Sequence, residues 1–198
     1  MSNQQLATKL YEIGVIKLGQ FTLKSGKTSP IYLDLRKIIS FPELMRDIAE
    51  RLWEQVKSCQ FELICGVPYT ALPVATCISL EHNLPMIMRR KEKKDYGTKQ
   101  MIEGVYQAGQ TCLIIEDVIT TGGSIMETAE DIKTAGLTIH DVAIFIDREQ
   151  GGKEALEKHF RVHSVFTLTQ LLADLVKTGI LPRTEMDIVQ HILAEKAQ

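Results

Sequence analysis

Two adjacent acids followed by hydroxyls and glycines stand out in Ile114-Ile115-Glu116-Asp117-Val118-Ile119-Thr120-Thr121-Gly122-Gly123-Ser124. The apolar run predicts a buried strand ending in Glu116 and Asp117. Adjacent carboxylates suit the vicinal hydroxyls of a sugar, or a divalent cation held by oxygen. The loop then opens a helix, whose first backbone N–H groups bind phosphate, and the hydroxyls of Thr120, Thr121 and Ser124 add donors. Gly122 and Gly123 permit close backbone approach. Anion cradle and diol-binding acids together suit a sugar phosphate. A plain capped helix, with Thr121 or Ser124 as N-cap, explains the hydroxyls but not the acids. This loop holds neither Gly-Lys-Ser/Thr nor G-x-G-x-x-G, which argues against its being a Walker loop or a dinucleotide fingerprint.

Four further stretches carry chemical potential. In Arg89–Gln100 six of twelve residues are basic, although the formal charge of the chain is −2. Such a run is ordinarily a solvated face, but here it follows a predicted strand end, and Gly97 and Gly104 are placed to hinge a mobile lid. Cys65-Gly66-Val67-Pro68-Tyr69-Thr70 makes a tight turn after a strand. Phe21 to Asp34 reads as a hairpin turning near Gly26. Asp147-Arg148-Glu149-Gln150-Gly151-Gly152 follows another apolar run.

The elements that must position these residues follow from periodicity. Helices are predicted over 3–15, from Pro42 to about Ser58, over 71–82, from about Gly123 to Ala135, and through the last ~28 residues. Short apolar runs at 61–66, 84–88, 111–115 and 142–146 alternate with helices, the signature of a parallel sheet covered on both faces. Ligands bind such sheets beyond the carboxyl ends of the strands.

Composition narrows the function classes. The chain has 198 residues, 23 Lys+Arg against 25 Asp+Glu, and 44% hydrophobic content, so a folded domain is expected and a general nucleic-acid binder is disfavoured. No apolar run is long enough to span a membrane. No basic segment followed by a long apolar one opens the chain, so no secretory signal is read. Cys59, Cys65, Cys77 and Cys112 lack zinc-ligand spacing and read as reduced thiols, consistent with a cytoplasmic protein. The five histidines (His82, His140, His159, His163 and His191) lie outside every motif and read as surface or structural.

IIEDVITTGGSI resembles the phosphoribosyl-diphosphate-binding motif of type I phosphoribosyltransferases. The likeness runs from about residue 10 to 170 and is nearest to orotate phosphoribosyltransferases, including the transferase half of bifunctional UMP synthases, through CGVPYTALP, RRKEKKDYGTK and DREQGG. At this length the decarboxylase half is not expected. The resemblance implies the family's α/β fold, a central parallel sheet flanked by helices, with a small hood subdomain from the N-terminal region. The hood would cover about 1–40, with a C-terminal contribution left open; the core would cover about 41–165, and a flexible catalytic loop about 90–104.

By the same resemblance the chain would make orotidine 5′-phosphate and diphosphate from orotate and 5-phosphoribosyl 1-diphosphate (PRPP). Glu116 and Asp117 would hold the ribose, and Val118, Ile119, Thr120, Thr121, Gly122, Gly123 and Ser124 the 5′-phosphate side of PRPP. Lys24, Tyr69, Thr70, Arg90, Lys91, Lys94 and Tyr96 would also contact PRPP, with Lys94 and Asp117 as the catalytic pair. Tyr32, Leu33, Thr120 and Arg148 would bind orotate, the guanidinium taking its carboxylate. Mg²⁺ would be held through diphosphate, ribose and water rather than by a dedicated protein cage. The lysine loop would reach the neighbouring subunit of a homodimer, with no nucleic-acid or membrane partner. Three positions depart from common family usage: Glu116 replaces a first aspartate, Tyr96 a histidine and Thr70 a lysine. A phosphoribosyltransferase for another base, and a non-catalytic PRPP-binding regulator, are the alternatives.

Overall fold

A computed structural model of the protein describes residues 1–22, 26, 28–92 and 100–196. In chain order the elements are α1 (Asn3–Glu12), β1 (Ile16–Thr22), β2 (Thr28–Leu33), a 3₁₀ turn (Leu35–Ser40), α2 (Pro42–Val56), β3 (Leu63–Gly66), α3 (Ala71–His82), β4 (Met86–Arg89) and β5 (Ile102–Glu103). They continue with β6 (Cys112–Ile119), α4 (Gly123–Thr134), β7 (Asp141–Asp147), α5 (Gly152–Leu156), β8 (Arg161–Thr167), α6 (Leu168–Lys177) and α7 (Arg183–Lys196). The chain divides into two compact units, Met1–Leu44 with Phe166–Gln198, and Met45–Val165.

In the first unit Ser2 and Gln5 form a reciprocal capping box that starts α1, which buries Leu6, Ala7 and Leu10. The helix stops at Glu12 rather than running to residue 15, because Gly14 turns the chain at φ +72°. β1 and β2 pair antiparallel, with an irregularity between Leu18 and Phe21. A second capping box, Thr167 with Gln170, opens α6. The C-terminal helical stretch is two helices, since Gly179 at φ +70° and Pro182 both interrupt it. The Tyr11 hydroxyl donates to Glu185 at 2.7 Å, tying α1 to α7, and that carboxylate pushes the phenol up to about 12.

The second unit is built on a six-stranded sheet of order β5-β4-β3-β6-β7-β8. The four predicted apolar runs become β4, β3, β6 and β7, all mutually parallel. Every residue of β3 and of β7 is buried, as expected of strands covered on both faces. Leu44, Ile48, Leu52 and Val56 of α2 are buried, matching their four-residue spacing. The central parallel sheet flanked by helices is therefore the architecture observed.

Two strands lacked a sequence signal. β5 is two residues pairing antiparallel with β4, Arg89 opposite Ile102, so the far end of the 90–104 stretch is strand rather than loop. Its burial of Ile102 explains the pairing. β8 mixes polar and apolar residues and is mostly half-buried, which hid it from a search for continuous apolar runs. β6 is also longer than its apolar run. It continues through Glu116 and Asp117 to Ile119, paired with Val142–Asp147, so the acids lie within the strand rather than at its last residue.

Candidate functional site

Parallel strands share the direction of their carboxyl ends, so β3, β4, β6 and β7 deliver their following segments to one rim of the sheet. The register fixes which segments meet. Gly66 stands opposite Ile115, and the Val67 N–H donates to the Ile115 carbonyl at 2.9 Å. Ile119 stands opposite Asp147, and the Arg148 N–H donates to the Ile119 carbonyl at 3.1 Å. The turn at Val67–Thr70, the loop at Thr120–Gly122 and Arg148 are thereby neighbours.

At the centre of this rim a cavity of about 240 Å³ is lined by Glu116, Val118, Ile119, Thr120, Thr121, Gly122, Gly123, Ser124, Ile125 and Glu127. The N-cap of α4 is Gly122, in the left-handed region at φ +80°, and it supplies no side-chain cap. Neither Thr121 nor Ser124 caps the helix. The first-turn N–H groups of a twelve-residue helix thus face the cavity without a side-chain acceptor, the arrangement that binds a phosphoryl group.

Glycine is required here on two sides. A Cβ at Gly122 would lie 2.9 Å from the Leu156 side chain, and one at Gly152 would lie 2.5 Å from the Thr120 carbonyl oxygen. The first turn of α5 therefore supports the loop directly. The contact of Gly152 with Thr120 is long-range and leaves no local signal in the sequence.

Glu116 is 6% exposed. Burial and the adjacent Asp117 carboxyl push its pKa well above the ordinary glutamate value. Its Oε1 accepts the Asp117 N–H at 3.0 Å. Alternation along β6 sets Asp117 on the opposite side of the strand from Glu116, and Asp117 is not among the residues lining the cavity. Asp147 is a third acid at this rim: it is buried, burial pushes its pKa up, and its Oδ1 accepts the Glu149 N–H at 2.8 Å. That capped turn places Glu149 at φ +55° and orients the chain after Arg148. Arg148 itself is only 7% exposed, and desolvation lowers its pKa from the usual arginine value.

The basic residues are more constrained than their sequence suggests. Arg89 pairs with Asp131 at 2.6 Å and reaches Glu127 at 3.7 Å. Arg90 donates through Nη1 to Glu103 on β5 at 2.7 Å. Lys91 Nζ lies 5.1 Å from the centroid of the exposed Tyr69 ring, joining two residues that were singled out separately. Thr70 begins α3 without capping it. Lys24, Lys94 and Tyr96 fall outside the described residues. Tyr32 and Leu33 belong to the first unit, where Tyr32 packs on Phe21 and its hydroxyl accepts from Arg36 at 3.1 Å.

Comparison with known proteins agrees with this arrangement. The phosphoribosyl transferase domain family matches residues 37–171. Uridine 5′-monophosphate synthase of Bos taurus is 46% identical over 195 residues, covering 97% of this chain but 41% of that protein. Orotate phosphoribosyltransferase of Chlamydia caviae is 44% identical over 187 residues, covering 93% of this chain and 91% of that one. The chain thus spans less than half of the bovine protein and nearly all of the chlamydial one. Among solved structures, UMP synthase of Leishmania donovani matches with a TM-score of 0.87 at 35% identity, over 98% of this chain and 43% of that chain. Orotate phosphoribosyltransferase from Aeropyrum pernix matches with a TM-score of 0.78 at 30% identity, over 87% and 98%. An acid pair within the central strand, a helix start without a side-chain cap and a rim arginine on this sheet agree with those likenesses: the chain belongs to the phosphoribosyltransferase family, among the orotate phosphoribosyltransferases.

Proposed function

We propose that this chain transfers the phosphoribosyl group of PRPP to orotate, giving orotidine 5′-phosphate and diphosphate in pyrimidine biosynthesis. The observation that carries this reading is the helix start at Gly122–Ser124, without a side-chain cap, beside buried Glu116 and buried Arg148. The helix start holds the 5′-phosphate, Glu116 takes the ribose hydroxyls from the cavity wall with Asp117 assigned beside it by the family resemblance alone, and Arg148 takes the orotate carboxylate.

A ring nitrogen of orotate then displaces diphosphate at the anomeric carbon through an oxocarbenium-like transition state. No covalent sugar–enzyme intermediate is invoked. Catalysis comes from positioning and from neutralising the departing charge. Tyr69, Thr70, Arg90 and Lys91 are assigned to the diphosphate, and Lys94 is assigned the main catalytic role, by the family resemblance. For Arg90 this requires release from Glu103. Lys24 and Tyr96 are assigned to PRPP, and Tyr32 and Leu33 to the base, on the same ground.

The oxygen donors at this rim suit a hard cation, and a few carboxylates plus substrate oxygens and water are what Mg²⁺ prefers. Glu116, which lines the cavity, is the protein group that would face it, with diphosphate, ribose and water supplying the other oxygens, and when bound it would add positive charge beside the diphosphate. We also infer a homodimer whose lysine loop serves the partner's site, and a cytoplasmic location. No helix among the described residues is long and apolar enough to cross a membrane.

The test is spectrophotometric consumption of orotate with PRPP, with and without Mg²⁺, against adenine, hypoxanthine and uracil. Orotate alone should turn over, and only with Mg²⁺. Turnover of another base would transfer the assignment to that base, and PRPP binding without any turnover would make the chain a regulator.

A further inference from the structure

Three groups converge at the sheet edge opposite the cavity. Cys59 lies in the turn after α2, Asp141 is the first residue of β7, and His163 lies on β8. His163 Nε2 is 2.7 Å from Asp141 Oδ1 and 3.6 Å from Cys59 Sγ. The three ligand atoms all lie within 4.8 Å of one another. β7 runs from Asp141 to Asp147, so at ~3.3 Å per residue the cluster stands roughly 20 Å from the transfer site.

Cysteine, histidine and aspartate also compose nucleophilic triads, but the geometry argues against one here. A triad needs the thiol and the carboxylate on different ring nitrogens. Here both converge on Nε2. Thiol, imidazole and carboxylate with ligand atoms within 4.8 Å of one another are instead the donor set of a cation site. A tetrahedral Zn²⁺ with Zn–S of about 2.3 Å and Zn–N of about 2.0–2.1 Å sets S and N about 3.5 Å apart, which is the separation already present. The Nε2···Oδ1 pair, now at hydrogen-bond distance, must open by roughly 0.6–0.8 Å. We propose that Cys59, Asp141 and His163 bind Zn²⁺, or a cation of the same borderline-soft class, with water completing the coordination.

A thiolate–imidazole set excludes Mg²⁺, so this site is chemically separate from the one that serves phosphoribosyl transfer. Binding releases the thiol proton to solvent and needs His163 in the tautomer that carries its proton on Nδ1, so that Nε2 is open to the cation; no redox step is involved. The competitor is Arg161, whose Nε and Nη2 reach Oδ1 and Oδ2 at 2.8 and 2.7 Å. The Arg161 side chain is 66% exposed while that of Asp141 is 2% exposed. The arginine can therefore retreat to Oδ2 or to water while the cation compensates the buried carboxylate. The bound ion would clamp the turn after α2 to the starts of β7 and β8.

The test is Co²⁺ titration of the full chain in Mg²⁺ buffer, read by the near-ultraviolet thiolate-to-cobalt band. The band should saturate at one equivalent per chain and be displaced by Zn²⁺. It should vanish in Cys59→Ser, persist in Cys77→Ser, and in His163→Gln require far more cobalt, beyond the roughly 10–100-fold weakening from losing an outer partner. Orotate turnover should be unchanged in Cys59→Ser, showing that the fold is intact. No saturable band in the wild type, an equal band in Cys59→Ser, or its loss in Cys77→Ser would each overturn the proposal.

Discussion

Three charged residues carry separable consequences. Glu116 has its pKa raised by burial and by Asp117, so the folded chain retains a proton that the unfolded chain releases near the ordinary carboxyl value. Its contribution to stability is complete below that value and is lost as pH rises through the folded one. Glu116→Gln should therefore gain on the order of 1 kcal/mol at about pH 8 and little at about pH 4, measured by urea denaturation, while weakening PRPP binding. An equal gain at both pH values would contradict a buried acid as the cause. Asp141 works in the opposite sense. Its hydrogen bond to Arg161, with help from His163 and Cys59, holds it down to about 2. That stabilisation is present above the unfolded value and is lost as pH falls toward about 2. Since Arg161 is largely exposed, Asp141→Asn should cost about 1–2 kcal/mol at neutral pH, the difference closing in acid. Arg148→Ala should raise the KM for orotate roughly 10–100-fold with little change for PRPP, because a charge-assisted bidentate contact is lost. Equal changes for both substrates would remove Arg148 as the carboxylate anchor.

At the scale of elements, the phosphate loop depends on packing between α4 and α5. Gly152→Ala puts a methyl into the Thr120 carbonyl, which is backbone and cannot swing aside. Gly122→Ala adds both left-handed strain and a clash with Leu156. Each should cost about 1–3 kcal/mol and raise the KM for PRPP more than that for orotate, read by thermal denaturation and initial rates. Unchanged PRPP kinetics in a destabilised Gly152→Ala would show that α5 supports the fold but not the loop. Element type was legible wherever a period or a terminator was strong. The α3 span matched the expected 71–82, and α4 begins at Gly123 as read. Boundaries failed where the cause was distant, as when β6 extends through two acids because β7 pairs with it.

At the scale of the whole molecule, the proposed homodimer makes a prediction that neither protomer makes alone. If Lys94 serves the partner's site while Arg148 serves its own, mixing the Lys94→Ala and Arg148→Ala chains, at an orotate concentration far below the raised KM of the second, creates one intact site per mixed dimer. After subunit exchange, roughly a quarter of wild-type activity should return. No recovery, with mixed dimers demonstrated, would place the loop in its own protomer. The same variants separate catalysis from folding, since Lys94→Ala should lower kcat strongly and leave the melting temperature nearly unchanged.

The sequence by itself determined the glycine-and-hydroxyl loop that opens α4 and the alternation of buried runs with amphipathic helices, because spacing, glycine and apolar period act over a few neighbouring residues. Only the tertiary structure decided that Arg90 rests on Glu103, that Gly152 props Thr120, that the start of α4 lacks a side-chain cap, and that Cys59 meets Asp141 and His163. Those pairings join residues far apart in the chain. Strand order and register create them, and neither leaves a mark on the local sequence.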